Sequence, residues 1–240
     1  MSKKVETIIE VVTSDSEHWY PSKRSNNRTV YYPSVTTILS VWPKGVGFNK
    51  YLTSQDSWES SQEILQSAGK RGTLVHKATE YLEDGIVLKR EAYNIDEWEM
   101  LMGYCKWRQE HQFLLQGMEL PLVSDKLKTG GTIDRVFKTS PNGHYMILDI
   151  KTSNSIYGNY WVQVAAYAEM YEQHFGIEIE EVAILRLTQR RKDRFEYKTM
   201  NRSFWKDEFK AFKSIQHIWN HINPDAQPKI LELPTTLSLK

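Results

Sequence analysis

Two aspartates and a lysine in the stretch GGTIDRVFKTSPNGHYMILDIKT are the residues best placed to do chemistry. The run reads as two short branched strands, and a turn at Pro141-Asn142 sets Asp134 directly opposite Asp149. Opposed residues of a hairpin have Cβ atoms about 4.5 to 5.5 Å apart, so two carboxylates there can share a divalent cation and repel each other without one. Lys151, two positions beyond Asp149, points to the same face of its strand. Two acids and an amine converging beside an apolar strand suit metal-assisted hydrolysis of a phosphodiester. Oxygen ligands select Mg²⁺ or Mn²⁺, which polarise phosphate oxygens and help generate a hydroxide-like water. Lys151 is then placed to orient or deprotonate that water, or to offset charge building on the phosphorus. The same residues also describe a surface hairpin with an ordinary Asp-Lys ion pair, and the hairpin alone does not separate the two readings.

The short pattern acid-x-Lys occurs at Asp149-Ile150-Lys151, Glu196-Tyr197-Lys198 and Glu208-Phe209-Lys210. The last falls on a helix, where positions two apart do not share a face, and the second has no opposed acid on a preceding strand. Only the first combines a strand setting with a paired carboxylate.

The elements that must position these groups follow from periodicity. Val5 to Thr13 reads as a strand, SKRSNN as a loop, and Ser34 as the N-cap of a short helix in TVYYPSVTTILSV. Helical spacing predicts a helix over 57–84 that stops at Gly85, and a second over 95–116 with Ile95, Trp98, Leu101, Met102, Cys105, Phe113 and Leu114 on its core side. MELPLV, GTIDRVF and HYMILDIK read as consecutive strands. A helix from Asn159 to Phe175, the strand EEVAILRLT, a partner strand at FEYKT, a helix from Ser203 to Ile222 and an extended tail complete the pattern. With no internal repeat, one mixed α+β domain with helices before and after a central sheet is the economical architecture.

In order along the chain, GTLVH ending at His76, GGTID ending at Asp134, LDIKT with Asp149 and Lys151, and QVAAY with Gln163 and Tyr167 resemble the PD-(D/E)XK nuclease superfamily. The resemblance is to its RecB-type branch, which includes stand-alone phage and mitochondrial genome-maintenance exonucleases, and it spans about residues 30 to 190. It implies a restriction-endonuclease-like core, with a central mixed sheet flanked by helices. It further implies a single nuclease domain over residues 1–240, with a catalytic core at about 30–222 and an extended tail at 223–240. By the same resemblance Asp134 and Asp149 would ligate the metal with the Ile150 carbonyl, His76 would be a further ligand, and Lys151 would serve the attacking water. Gln163 and Tyr167, four apart on a helix, would position the catalytic loop or the DNA backbone; Tyr167 equally fits a core aromatic stripe with Tyr160 and Tyr171. Glu80, one turn beyond His76, and Glu119, on the strand before the hairpin, are further candidates for ligand or support. Gly-Thr-Ile-Asp stands where the superfamily's Pro-Asp pair is expected, as is usual in this branch.

The implied activity is a divalent-metal-dependent DNA exonuclease acting on single-stranded or duplex ends, in phage-type DNA recombination, replication or degradation. An endonuclease of the same fold and a non-catalytic DNA-binding module are the alternatives. A recombination or single-strand-binding protein is the implied protein partner. The lone Cys105 excludes the four-cysteine iron-sulfur cluster that some relatives carry, and indicates a reducing compartment. No run of about 18 apolar residues suggests a membrane span, and no signal peptide is read at the start, so the expected location is cytoplasmic, the host cytoplasm for a phage product.

The 240 residues, 40% hydrophobic and 25% charged, exclude collagen-like and wholly disordered chains. The formal charge of +1 hides separated regions. Residues 186–213 hold ten Lys or Arg against four Asp or Glu, a net +6, and residues 78–100 hold seven acids against two bases. Residues 18–55 add Lys23, Arg24, Arg28, Lys44 and Lys50 with no acid. Basic residues interleaved with Trp42, Tyr51, Phe195, Tyr197, Phe204 and Trp205 are expected to track phosphates and stack bases, each stack contributing about 1 to 3 kcal/mol. A solvated helix face with inward aromatics is the other reading of the final helix.

Overall fold

A computed structural model of the chain describes residues 7–12, 17–23, 28–43, 45, 57–234 and 236. Arg24, Lys44, Lys50 and Tyr51 lie outside the described residues.

The described chain runs β1 (Thr7–Val12), β2 (Trp19–Lys23), β3 (Thr29–Pro33), α1 (Val35–Ile38), α2 (Trp58–Glu83), α3 (Ile95–Glu110) and β4 (Leu114–Ser124). It continues β5 (Thr129–Lys138), β6 (Tyr145–Lys151), α4 (Gly158–Phe175), β7 (Ile179–Leu187), β8 (Phe195–Asn201), α5 (Arg202–Ile222) and β9 (Lys229–Pro234). The central sheet has five strands in the order β4-β5-β6-β7-β8. Only β6 and β7 are parallel, and α4 is the crossover between them. This mixed sheet is flanked by helices on both faces, as expected of a mixed α+β chain.

Burial on both faces explains why HYMILDIK is apolar almost without interruption. Ile147 faces one cluster with Val162, Ala165, Tyr167, Trp205 and Phe212 of α4 and α5. Its neighbours Met146, Leu148 and Ile150 face the other, with Val75 and Ala78 of α2 and Met100, Tyr104 and Trp107 of α3. Asp149 therefore alternates onto the α4 side, at the end of the strand where helix cover gives way to the site.

Local signals set most boundaries. Ser34 caps α1, Asn94 and Glu97 form a capping box on α3, and Gly176 at φ 66 closes α4. Two expectations need correction. The second long helix stops at Glu110 rather than 116, because Leu114 already pairs with Lys138 across β4 and β5. Its buried stripe is Met100, Leu101, Tyr104 and Trp107, so Ile95 and Met102 are exposed. The tail is extended at Lys229–Pro234, as expected, and there β9 pairs antiparallel with β1. Among the described residues no helix is long and apolar enough to cross a membrane.

Candidate active site

The hairpin register runs from Lys138↔Tyr145 to Arg135↔Leu148, the register that a turn at Pro141-Asn142 dictates. Asp134 and Asp149 come one step beyond the last of these pairs. There Asp134 replaces a backbone acceptor with its side chain: Oδ2 accepts the Ile150 N–H at 2.7 Å. On the other side of β5, the pairs Met118↔Arg135 and Leu120↔Ile133 bracket Glu119 and Asp134, which face each other without being paired. Glu119 has φ 45, the left-handed region that non-glycine residues seldom occupy. Glu119, Asp134 and Asp149 thus stand in one row across β4, β5 and β6.

Around Asp149 every polar group is oriented. The residue is 2% exposed, with Lys151 Nζ 2.8 Å from Oδ2 as an ion pair. Lys151 also donates to Gln163 Oε1 at 3.1 Å, and Gln163 Nε2 donates to Asp149 Oδ1 and to the Tyr167 hydroxyl oxygen, both at 3.2 Å. A carboxylate can only accept and an ammonium can only donate, so the Gln163 amide has one orientation that satisfies both. The ring of Tyr160 lies 4.7 Å from the same ammonium. Burial raises the Asp149 carboxyl to about 6, against the opposing pull of Lys151. Burial also works against charge on Lys151, but Asp149 and Asp134 outweigh it and hold its pKa above the ordinary value. Asp149 Oδ2 has the Lys151 ammonium as its one close polar partner among the described residues.

A second group adjoins this one. His76, Glu119 and Asp134 each offer a ligand atom, all within 4.8 Å of one another. His76 Nδ1 is 3.6 Å from Asp134 Oδ2. Burial and the Asp134 charge raise the Glu119 carboxyl above its ordinary value. Glu80 pairs instead with Lys77 at 2.7 Å.

Arg135, fully buried, was not apparent from the sequence as a site residue. Its Nη1 donates to Glu119 Oε1 at 3.2 Å and to the Asp134 carbonyl at 2.6 Å, and its Nη2 donates to Thr79 Oγ1 at 2.8 Å. Thr79 in turn donates to the His76 carbonyl at 2.7 Å. Arg135 therefore ties the turn of α2 that carries His76 to the left-handed Glu119. The available signal was a charged residue at a position where strand alternation puts an inward side chain. The glycines of GGTID have a steric reason: a Cβ on Gly130 would overlap the Tyr20 ring, and one on Gly131 the Tyr167 ring.

Tyr167 is buried and belongs to the core cluster, and its hydroxyl reaches Gln163. The expected stacking surface is also largely internal. Trp205 is fully buried, and Tyr197 packs on Trp107 and His111 with ring centroids 5.5 and 4.9 Å apart. Phe195 packs against the same cluster, while Phe204 is exposed.

No family model and no curated protein matches the chain. Among solved structures, one described as that of SSO0001 is similar over 54% of this chain and 59% of that chain, at 18% identity and a TM-score of 0.30. The chain thus spans less than two thirds of that protein's length.

Proposed function

We propose that the chain is a divalent-metal-dependent deoxyribonuclease with a PD-(D/E)XK core, acting as an exonuclease on single-stranded or duplex DNA ends. The observation that carries this reading is the placement of Asp149 and Lys151 in an ion pair on one face of β6, beside Asp134 and bridged by Gln163. A structural ion pair does not need two further carboxylates in the same row, since like charges at strand spacing cost free energy.

The donor set fits Mg²⁺ or Mn²⁺. His76, Glu119 and Asp134 group their ligand atoms within 4.8 Å of one another, and Asp149 stands next to Asp134 in the same row. Asp134, Asp149 and the Ile150 carbonyl would hold the ion, with His76 and Glu119 as further ligands. When bound it would supply Lewis-acid polarisation of a phosphate oxygen. With no ion bound, Asp149 and Asp134 hold the Lys151 pKa above its ordinary value, and this ammonium is placed to orient water and offset charge developing on the phosphate. Gln163 keeps that ammonium against Asp149, and Tyr167 keeps Gln163 in place. Phage-type DNA recombination, replication or degradation is the setting in which such an activity belongs.

Linear, end-blocked and circular DNA, each single- and double-stranded, assayed with Mg²⁺ and Mn²⁺, tests the reading. Hydrolysis confined to free ends is expected. Cutting of covalently closed circles makes the protein an endonuclease, and DNA binding without hydrolysis under any condition makes it a binding module.

A further inference from the structure

The strongly basic stretch 186–213 divides into two parts with different fates. On α5, Arg202 and Lys206 are committed to partners in the scaffold. Arg202 pairs with Glu172 and, at 3.5 Å, with Glu178. Lys206 reaches Glu169 and Glu172, both at 2.8 Å, fastening α5 to α4. Lys210 pairs with Asp207 at 2.7 Å, and Lys213 donates to Gln216 at 2.9 Å.

The turn between β7 and β8 is different. Arg186 lies opposite Lys151 in the parallel register of β6 and β7, and opposite Glu196 in the antiparallel register of β7 and β8. The row that begins at Lys151 therefore continues across two further strands, a span of about 10 Å at ordinary strand spacing. Glu196 is its hub. It accepts Arg186 Nε and lies 2.9 Å from Arg186 Nη2, 3.2 Å from Arg191 Nη2 and 3.3 Å from Lys198 Nζ. Three cations share one carboxylate, which leaves an excess of positive charge where Arg191 and Lys198 are exposed. Arg190 and Lys192 are exposed in the same turn.

The turn is also fastened in place. Arg186 Nη1 donates to the carbonyls of Ser153 and Asn154, just beyond Lys151, at 3.4 and 3.2 Å. Asp193 pairs with Lys106, and Arg194 reaches Glu99 at 3.4 Å, both on α3. A Cβ at Gly103 of α3 would overlap the Arg194 backbone, so the two elements are in close contact.

We infer that the β7–β8 turn, with Arg190, Arg191, Lys192 and Lys198, is an arm that binds the phosphates of one DNA strand where it passes Lys151. The inference rests on the nuclease reading and names the part of the substrate held outside the reacting bond. The aromatic residues of β8 are packed inward against Trp107 and His111, so the arm offers charge without a stacking surface. Binding through it is insensitive to base sequence and steeply dependent on salt.

The test compares Asp149→Asn, which keeps the DNA intact, with the same chain also carrying Arg190→Ala, Arg191→Ala and Lys192→Ala. Fluorescence anisotropy with a labelled single-stranded oligonucleotide across a salt series is expected to show the slope of log K against log salt falling by about 2, at about 0.7 per lost phosphate contact. In the otherwise wild-type chain the triple variant should hydrolyse bis(p-nitrophenyl) phosphate at the unaltered rate, because that diester is too short to reach the arm. An unchanged salt slope overturns the arm and leaves the nuclease reading standing. A reduced slope in a protein whose wild type hydrolyses no DNA supports the arm and removes the nuclease reading. Absence of DNA binding by the parent overturns both.

Discussion

Glu119 and Asp134 face each other across β4 and β5 at a step where the ladder is interrupted, with Glu119 in the left-handed region at φ 45. The side chain of Arg135 holds that arrangement by reaching both residues, at 3.2 Å to the Glu119 carboxylate and 2.6 Å to the Asp134 carbonyl. An Arg with no exposure has to keep its charge satisfied, and the carboxylate it satisfies is the one brought beside His76 and Asp134.

The consequence separates Glu119 from Arg135. Glu119→Gln keeps an oxygen for Arg135 but removes a negative ligand and the counter-charge of a buried cation, so Mn²⁺ affinity measured by titration calorimetry should fall about tenfold and the melting temperature should also drop. Arg135→Met should destabilise the fold by about 3 kcal/mol in denaturant melts, because it removes the cation that the half-buried Glu119 carboxylate faces and strands the Thr79 contact. Equal metal affinity in parent and Glu119→Gln would remove Glu119 from the ligand set.

Metal binding should carry a pH signature from Asp149. Burial raises this carboxyl from 3.8 to about 6, so below about 6 the metal-free protein holds a proton that an arriving cation must displace. Apparent Mn²⁺ affinity should therefore be flat above that pH and drop about tenfold per unit below it. Asp149→Asn should abolish this break, which a pH series of calorimetric titrations would reveal. A break that persists in the variant would place the titrating group elsewhere.

Lys151→Ala should lower single-turnover hydrolysis by about 10² to 10³-fold, the usual loss on removing one donor aimed at developing charge. Metal affinity should change far less, because Lys151 is a counter-ion and not a ligand. A general base would leave a different trace: restoring the positive charge by Lys151→Arg would then recover nothing, whereas a fixed cation is partly replaced.

Much of this was legible in the sequence because the signals were local. The Pro141-Asn142 turn fixes the hairpin register, and register alone brings Asp134 to Asp149. Two-residue alternation places Lys151, and four-residue helical spacing places Gln163 with Tyr167. What escaped depended on other elements. The left-handed Glu119 and the inward Arg135 depend on how β4 meets β5, which no local pattern encodes. The end of α3 was misjudged because Phe113 and Leu114 suit a helix face and a strand equally, and the pairing with β5 decided it. Positive charge counted along 186–213 could not distinguish α5, where Arg202 and Lys206 meet acids of α4, from the β7–β8 turn, whose cations outnumber the acids around them.

Gly131 tests whether Tyr167 works through Gln163. A Cβ at this position would overlap the Tyr167 ring, which is buried. The ring must therefore shift, and its hydroxyl with it, away from the Gln163 amide that donates to it at 3.2 Å. That amide also spans Asp149 and Lys151, so Gly131→Ala should cost about 1 to 3 kcal/mol of stability and also lower turnover at saturating metal. Gln163→Leu should lower turnover about as far, without the steric cost. If the path runs through Gln163, adding Gly131→Ala to Gln163→Leu should lower turnover little further while still reducing stability, so the pair is non-additive in rate and additive in melting temperature. Additive losses in turnover would mean that Gly131 affects the site by another route, through β5 and Asp134.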